Sequence, residues 1–304
     1  MSSPRVAALI VNGKSRRGRE WFPLVRQKLL DEGFELALTH LAKKPQTVGG
    51  QVDVAIRKGI PLVCVGGGDG TFSSVAGKFV DTDSVLGVLP LGTGNSLARD
   101  LGIKADVDEA CQVLIDGFEQ DIDLGLVNGQ HFVNVATVGL TTRIAEGLDN
   151  DAKKRFGRAA YLVAVFKAVI KAKPFHTRLE FGGEVRESES IQVVVGSGRF
   201  HAGPFPVTPE AEITSGKLAG YSVNSVDRAT LLRYGLRLWG GHHVDMPEVE
   251  EFTATQVKLS TTPLMRITVD GETGMRTPAT FECLPQAVRV LANRSAKQVL
   301  GIQI

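Results

Sequence analysis

The stretch Leu62–Thr71 reads Leu-Val-Cys-Val-Gly-Gly-Gly-Asp-Gly-Thr. Its apolar start has no polar alternation, which predicts a strand covered on both faces. Apolar residues repeat at helical spacing from Phe72 to Phe79, which predicts a helix directly after the glycines. Glycines let a backbone approach a phosphate chain, and a helix N-terminus adds partial positive charge. The stretch therefore predicts a strand, a phosphate-binding loop at residues 66–71 and a helix.

The same strand-then-helix pattern recurs through the first 120 residues. Strands are predicted at Val6–Val11, Phe34–Leu41, Leu62–Val65 and Val85–Leu89, with helical spacing between them. Such alternation predicts a doubly wound α/β domain with a largely parallel sheet, in which ligands bind where loops leave the carboxyl ends of strands. We assign this nucleotide-binding domain to residues 1–122.

Residues 123–304 are predicted to form a C-terminal antiparallel β-sandwich domain, because strands follow one another with few helices between. An Asn-Gly turn at 128–129 predicts a hairpin. Whether the last residues return to the first domain stays open. The predicted strands are Gln120–Val127, His131–Ala136, Thr177–Phe181, Ile191–Ser197, Glu251–Ser260, Leu264–Val269, Thr277–Cys283 and Ala287–Leu291, and the predicted helices are about Asp151–Ala172 and Asp227–Leu238.

Two further loops follow predicted strands at the same edge of the sheet. The loop Leu91–Arg99 places Thr93 and Asn95 at a helix start, where short polar side chains suit nucleotide or phosphate. The loop Asn12–Gly18 is polar and carries basic residues that would hold phosphate oxygens or be solvated. Those basic residues are Lys14, Arg16 and Arg17.

Asp69 is unusual among groups suited to phosphate. A carboxylate there implies either a neighbouring Mg²⁺ or a hydroxyl whose proton it takes. Standard nucleotide motifs fail: Ala8 stands where a P-loop ending at Ser15 needs glycine, and Leu97 stands where a dinucleotide fingerprint needs glycine or alanine. No serine-hydrolase elbow or His-Glu-x-x-His zinc motif occurs.

Composition excludes several classes. The formal net charge of +2, without a basic block beside aromatic residues, argues against nucleic-acid binding. Neither a signal peptide nor an apolar run of about 20 residues occurs, so stable membrane insertion is not expected. The cysteines are odd in number and far apart in the chain, which indicates reduced thiols of a cytoplasmic protein. They are Cys64, Cys111 and Cys283.

Taken together, the loops at residues 66–71, 92–99 and 12–18 resemble the diacylglycerol-kinase catalytic family, which includes bacterial lipid kinases and sphingosine kinases. The resemblance extends along most of the chain, in the family's order. It includes Asp123-Leu124-Gly125, Phe132-Val133-Asn134-Val135-Ala136, Lys154-Arg155-Phe156-Gly157-Arg158 with Ala160-Tyr161, and Asp270-Gly271-Glu272.

The resemblance implies an ATP-dependent lipid kinase that transfers the γ-phosphate to a lipid hydroxyl, with ATP and Mg²⁺ bound between the two domains. It implies catalytic roles for Asp69, Asp270 and Glu272, and metal binding by Asp69 and Asp270. Either Asp69 or Asp270 would be the base. The implied nucleotide-binding residues are Asn12, Gly66, Gly67, Gly68, Gly70, Thr71, Gly92, Thr93 and Asn95.

Asp270 and Glu272 follow a predicted strand, and residues two apart on a strand face the same side. Both carboxylates would then converge on one cation, although Asp-Gly-Glu-Thr-Gly also suits a polar hairpin turn. Ser215 departs from the family, in which bacterial members usually carry Asp. That Asp helps some relatives hold an additional structural Mg²⁺, and here Glu210 or Glu212 would have to replace it.

Basic residues flank the apolar run Ala159–Phe166. The predicted helix at about 151–172, which contains this run, would either lie on an anionic membrane surface or cover the sandwich with its lysines solvated. A lipid substrate implies peripheral contact with a membrane, and a homodimer stays open.

Two alternatives remain. An NAD kinase shares the Gly-Gly-Asp-Gly-Thr loop but usually carries an Asn-Glu or Asn-Asp pair after it, which is not found in the expected place. The loop at residues 92–99 favours lipid kinases. A catalytically silent nucleotide- or lipid-binding protein would not need Asp69, Asp270 and Glu272. The sequence leaves the acceptor open among diacylglycerol, a sphingoid base, phosphatidylglycerol and a polyprenol.

Overall fold

The computed structural model describes residues 5–140, 172–201, 205–224, 237 and 245–294. Its first half contains the four predicted strands, which pair in parallel in the order β2-β1-β3-β4. Because β1, β3 and β4 are neighbours and run the same way, the loops that follow them meet at one edge. The strands are β1 (Arg5–Asn12), β2 (Phe34–Ala42), β3 (Leu62–Gly67) and β4 (Val85–Pro90).

Helices pack against this parallel sheet. The predicted helices are present, and a fifth, which the sequence analysis missed, is capped by the Asp106 carboxylate, which accepts the N–H groups of Asp108 and Glu109. A 3₁₀ turn, Ala76–Phe79, continues the third helix. The helices are α1 (Gly18–Asp31), α2 (Thr47–Arg57), α3 (Asp69–Val75), α4 (Ser96–Asp100) and α5 (Val107–Asp116).

The second half consists largely of antiparallel strands, as predicted. They are β5 (Phe118–Val127), β6 (Gln130–Phe132), β7 (Val135–Gly139), β8 (Phe175–Phe181), β9 (Glu184–Ser190), β10 (Gln192–Gly196), β11 (Phe200–His201), β12 (Phe205–Pro206), β13 (Leu218–Val223), β14 (Val249–Ala254), β15 (Gln256–Thr262), β16 (Arg266–Val269), β17 (Glu272–Arg276) and β18 (Ala279–Ala292).

Strand β18 connects the two halves. It pairs in parallel with β4 through Val290 and Leu86, and antiparallel with β5 and β15. The result is a ten-stranded sheet in the order β2-β1-β3-β4-β18-β15-β8-β9, with β5 and β6 off this path. A six-stranded sheet follows the order β14-β13-β10-β7-β16-β17. The chain thus returns to the first half through β18, and the division at residues 122 and 123 stays a prediction.

The two sheets pack as a sandwich over a shared apolar core. Val257 of β15 and Phe281 of β18 belong to this core together with Val193 and Val195 of β10 in the six-stranded sheet. A separate core lies between the parallel strands and the helices. The structure is therefore an α/β domain with a parallel sheet, followed by an antiparallel β domain.

Three strand boundaries were wrong. The predicted strand Glu251–Ser260 is two strands, β14 and β15, which belong to different sheets. The predicted strands at 277–283 and 287–291 are one strand, β18, whose register shifts between Leu284 and Val288. The predicted strand His131–Ala136 is also split: β6 completes the hairpin with β5, and β7 enters the other sheet. Apolar alternation is local, whereas the choice of partner strand depends on distant residues.

The predicted helix at 227–238 lies outside the described residues except for residue 237, and so does the one at 151–172 except for residue 172. Residues 295–304 also lie outside them. Within the described ranges, no helix has both the length and the apolar character needed to cross a bilayer.

Candidate active site

The loops after β3 and β4 contact each other through their backbones. Leu91 N–H donates a hydrogen bond to Gly67 O at 2.8 Å. A Cβ atom on Gly92 would lie only 2.7 Å from Gly68 Cα, and one on Gly66 would lie 2.8 Å from the Leu91 side chain. Glycine is required at these positions because a side chain would force the two loops apart.

Asp69 joins the two loops. It begins α3, and its carboxylate accepts the backbone N–H of Asn95 at 2.9 Å and that of Ser96 at 2.6 Å. Each carboxylate oxygen takes one of these bonds and keeps further lone-pair capacity. Asp69 therefore both fixes the second loop and retains acceptor capacity for a metal ion or a proton.

Asn95 shapes the second loop from within. Its backbone is left-handed, with φ of 51°, and its side-chain Oδ1 accepts the Gly92 N–H at 2.9 Å. Asparagine tolerates this conformation better than most residues. Thr93 lies at the exposed part of the loop, where it makes none of the hydrogen bonds that order Asn95.

The loop after β1 reaches the first glycine loop. The Asn12 side-chain N–H donates to Thr71 Oγ1 at 3.2 Å, and Asn12 Oδ1 accepts the Lys14 N–H at 3.0 Å. Lys14 and Arg16 are exposed, whereas the Arg17 guanidinium donates to Ala105 O at 2.6 Å. Asn12 and Thr71 are thus brought together as the sequence predicts, and Arg17 holds a neighbouring loop.

Asp270 lies in the turn between β16 and β17, and its carboxylate points to the β6–β7 junction. It accepts the N–H groups of Val133 at 2.8 Å, Asn134 at 2.9 Å and Val135 at 3.0 Å. Desolvation raises the pKa of Asp270, whereas these hydrogen bonds and the Ser73 side chain on α3 act in the opposite direction. Asp270 therefore connects the sandwich to the helix that follows the glycine loop.

Glu272 does not join this cluster. Val269 ends β16 and Glu272 begins the antiparallel strand β17, with Asp270 at φ of 47° and Gly271 at φ of 91° between them. Asp270 is therefore in the hairpin turn itself and Glu272 is on the strand that follows, so the expectation that they share one face of a strand was wrong. Glu272 is exposed.

Asp123 is completely buried and ties two backbone segments together. Its carboxylate accepts the Gly216 N–H at 2.6 Å and the Gln286 N–H at 2.9 Å. Burial raises the pKa of Asp123, and the two N–H groups oppose that shift. Ser215, next to Gly216, is exposed and its hydroxyl donates to Glu212 O at 3.0 Å.

The carboxylates described above differ in how well they could hold Mg²⁺. Among the described residues, no group of three or more His, Cys, Asp or Glu side chains is arranged to hold a metal ion. No such group surrounds Ser215 in this part of the chain, so the described residues offer no ready set of ligands for the additional structural Mg²⁺. Mg²⁺ on ATP needs only one or two protein carboxylates beside the phosphates, and the spare lone pairs of Asp69 fit that requirement.

The sequence analysis missed Ser73 and Ser96 as parts of the site. Ser73 lies four residues after Asp69 and therefore on the same face of α3, which is a signal that helical periodicity offers. Ser96 contributes only its backbone N–H, so its residue type carries no signal.

Comparison with known proteins identifies the group to which these features belong. Residues 6–127 match the model described as the diacylglycerol kinase catalytic domain. Residues 134–292, just over half of the chain, match the model described as the YegS C-terminal NAD kinase beta sandwich-like domain. The chain belongs to the diacylglycerol kinase catalytic-domain family. As a member, it is an ATP-dependent lipid kinase that transfers phosphate to an alcohol.

Individual members of the family are similar over nearly the full length. The chain is 27% identical to a diacylglycerol kinase of Bacillus subtilis (strain 168), over 97% of this chain and 98% of that protein. It is also 27% identical to a diacylglycerol kinase of Staphylococcus carnosus (strain TM300), over 98% of each chain. A diacylglycerol kinase structure from Bacillus anthracis str. Sterne shares the fold, with a TM-score of 0.75 and 19% identity over 97% of this chain and 99% of that one.

Proposed function

We propose that the chain transfers the γ-phosphate of ATP to the free hydroxyl of diacylglycerol, and that the reaction takes place beside Asp69. The observation that carries the proposal is the pair of glycine loops held together by the Asp69 carboxylate. The names of the full-length relatives support diacylglycerol as the acceptor.

The two loops and the start of α3 would hold the phosphates of ATP. Phosphoryl transfer asks the protein mainly for positioning and neutralisation of charge. Backbone N–H groups of residues 66–71 and 92–95 would meet the phosphate oxygens, and Asn12 would orient the Thr71 hydroxyl. Mg²⁺, when bound, would neutralise phosphate charge beside Asp69.

Asp69 and Asp270 would divide the remaining tasks. Asp270 already accepts three backbone N–H groups, whereas Asp69 accepts two. Asp69 therefore has more capacity to accept the proton that the lipid hydroxyl releases or to hold the metal ion. Asp270 would keep the β6–β7 junction next to α3. Glu272, exposed on β17, would contribute at most from the rim.

The acceptor is tested with radiolabelled ATP and Mg²⁺ against diacylglycerol, a sphingoid base, phosphatidylglycerol, a polyprenol and NAD. Phosphatidic acid is the expected product, and phosphorylation of NAD alone would contradict the proposal. Omission of Mg²⁺ is expected to abolish turnover.

The role of Asp69 is tested by Asp69→Asn, which keeps one acceptor oxygen for the second loop. We expect kcat to fall about 100-fold or more, the usual loss when a group at the developing charge is removed. Ser215→Ala is the control, since its exposed hydroxyl bonds only within its own turn. Full turnover by Asp69→Asn would remove Asp69 from the mechanism.

The lipid acceptor implies contact with a membrane surface, and a homodimer remains a second possibility to measure. Flotation with anionic vesicles tests the first, and light scattering after gel filtration tests the second. The basic helix at 151–172 lies almost entirely outside the described residues, so its part in membrane binding stays a prediction.

A further inference from the structure

Two neighbouring buried side-chain oxygens have no hydrogen-bond partner among the described residues. They are Asn134 Oδ1 and Ser197 Oγ. Asn134 is 5% exposed and Ser197 is 2% exposed. The residues are in direct contact, because Ser197 N–H donates to Asn134 O at 3.0 Å.

This pair lies next to the residues assigned to phosphoryl transfer. The Asn134 N–H donates to the Asp270 carboxylate at 2.9 Å, so the backbone of Asn134 is in direct contact with that acid. On the other side, Arg199 N–H donates to Asp100 Oδ2 at 3.3 Å. Asp100 ends α4, the helix that begins in the second glycine loop. Residues 197–199 therefore run from Asn134, which is bonded to Asp270, to the end of α4, the helix that follows the second glycine loop.

Two unpaired buried oxygens on residues joined by a backbone hydrogen bond are costly. A buried polar group without a partner costs about 1–3 kcal/mol, and buried polar groups in folded proteins are nearly always paired. Asn134 Oδ1 and Ser197 Oγ are the two buried, unpaired oxygens that lie on the segments around Asp270. A ligand that supplies the missing bonds would bind there with the advantage of relieving that cost.

The chemistry of the two atoms selects the ligand. An amide Oδ1 only accepts hydrogen bonds, whereas a serine hydroxyl both donates and accepts. One alcohol group satisfies both: its O–H donates to Asn134 Oδ1, and its oxygen accepts from Ser197 Oγ–H. A phosphate oxygen without a proton has nothing to donate to Asn134, so the pair does not suit the ATP phosphates.

We propose that Asn134 and Ser197 form the subsite for a hydroxyl group of the acceptor lipid, beside Asp270. The inference rests on the proposed function and assigns its acceptor side to two residues. Asp270 and Asp100 position this subsite from the sandwich and from α4, and the glycine loops hold the other substrate.

The test compares Ser197→Ala and Asn134→Leu with wild type, using dioctanoylglycerol as acceptor. We expect the lipid KM to rise about tenfold in each variant, the effect of one lost hydrogen bond, with the ATP KM unchanged. The melting temperature should not fall, because each change removes an oxygen that has no partner in the protein.

Ser84→Ala is the matched control. Ser84 is 5% exposed, and its hydroxyl donates to Ile60 O at 2.9 Å. It directly precedes β4, whose opposite end leads into the second glycine loop. This variant should lose thermal stability and keep the lipid KM. The opposite patterns in Ser84 and Ser197 separate a structural serine from one that binds substrate.

A lower melting temperature with unchanged lipid KM in both test variants would overturn the inference, because the pair would then hold only an ordered water. A second measurement does not need turnover: dioctanoylglycerol micelles should raise the melting temperature of wild type and not of Asn134→Leu. If wild type phosphorylates no lipid, the proposed function fails. An equal micelle shift in wild type and variant overturns the subsite itself.

Discussion

Single residues decide how closely the two nucleotide loops approach. Gly92 and Gly68 touch through their backbones, and Asp69 closes the contact by accepting N–H groups from the second loop. An added Cβ on Gly92 has no room, since its nearest neighbour is the Gly68 backbone, which cannot move aside as a flexible side chain would.

Gly92→Ala tests this contact. The new Cβ would lie 2.7 Å from Gly68 Cα and 2.8 Å from Asn95 Oδ1, so the loops must separate. We expect a loss of about 1–3 kcal/mol in unfolding free energy, typical of overpacking, and a higher ATP KM. Chemical denaturation and initial rates measure both.

Gly50→Ala is the control for Gly92→Ala. A Cβ on exposed Gly50 in α2 meets nothing within 4 Å, and alanine is the better helix former. Its activity should match wild type, with stability equal or slightly higher. Wild-type stability and ATP KM in Gly92→Ala would show that the loops are not in tight contact.

Asp100 predicts a pH dependence of stability. Burial raises the pKa of Asp100 from 3.8 to about 8, while backbone N–H groups of Arg199 and Phe200 and the charge of Arg199 act in the opposite direction. The folded protein therefore holds a proton that the unfolded chain releases, and stability is lost as pH rises from about 4 to about 8. Asp100→Asn should show a smaller fall.

Thermal unfolding of wild type and Asp100→Asn at pH 5, 6, 7 and 8 measures how far the stability of each protein falls as pH rises. The two curves of melting temperature against pH should converge at low pH and separate at high pH. Parallel curves would mean that Asp100 titrates outside this range.

At the scale of elements, helix caps and strand partners decide which segments form. Helix α5 was missed in the sequence, although Asp106 precedes Val107 and accepts two N–H groups of its first turn. An aspartate directly before an apolar segment is a local sequence signal for the start of a helix. Strands β14 and β15 show the opposite case, because only distant partners separate them.

Asp106→Ala tests the cap. Losing the acceptor for Asp108 N–H and Glu109 N–H should lower the unfolding free energy by about 1 kcal/mol, without changing kinase turnover. Asp106→Ser keeps a capping oxygen and should stay close to wild type. Equal denaturation midpoints for the alanine and serine variants would contradict a capping role.

At the scale of the whole molecule, β18 makes one sheet of two halves. It fills the space beside β4 and pairs along much of β5. A cut at the predicted domain boundary would leave β4 with β3 alone and would divide β5 itself. Exposed strand edges and an incomplete core disfavour independent folding.

A fragment of residues 1–122 should therefore lack a cooperative thermal transition, as followed by circular dichroism. It retains β4 but lacks β18 and the second half of β5. Co-expression with residues 123–304 should restore a soluble complex. A cooperative transition of the fragment alone would show that residues 1–122 fold as an independent unit.

The sequence by itself determined the parallel sheet, the two glycine loops and their shared edge. These features are local: a strand, a loop and a helix follow one another within about 20 residues, and parallel strands place their carboxyl ends together. The sequence also identified Asp69, Asn12 and Thr71 as neighbours of one site. The family resemblance added Asp270, whose place no local pattern showed.

Only the tertiary structure decided how the two halves join and where the side chains of the sandwich point. The pairing of β18 with β4, the hydrogen bond from Val133 N–H to Asp270 and the contact of Ser197 with Asn134 link residues far apart in the chain. Their geometry depends on strand register and partner choice, which local propensity does not specify. The unpaired oxygens of Asn134 and Ser197 became visible for the same reason.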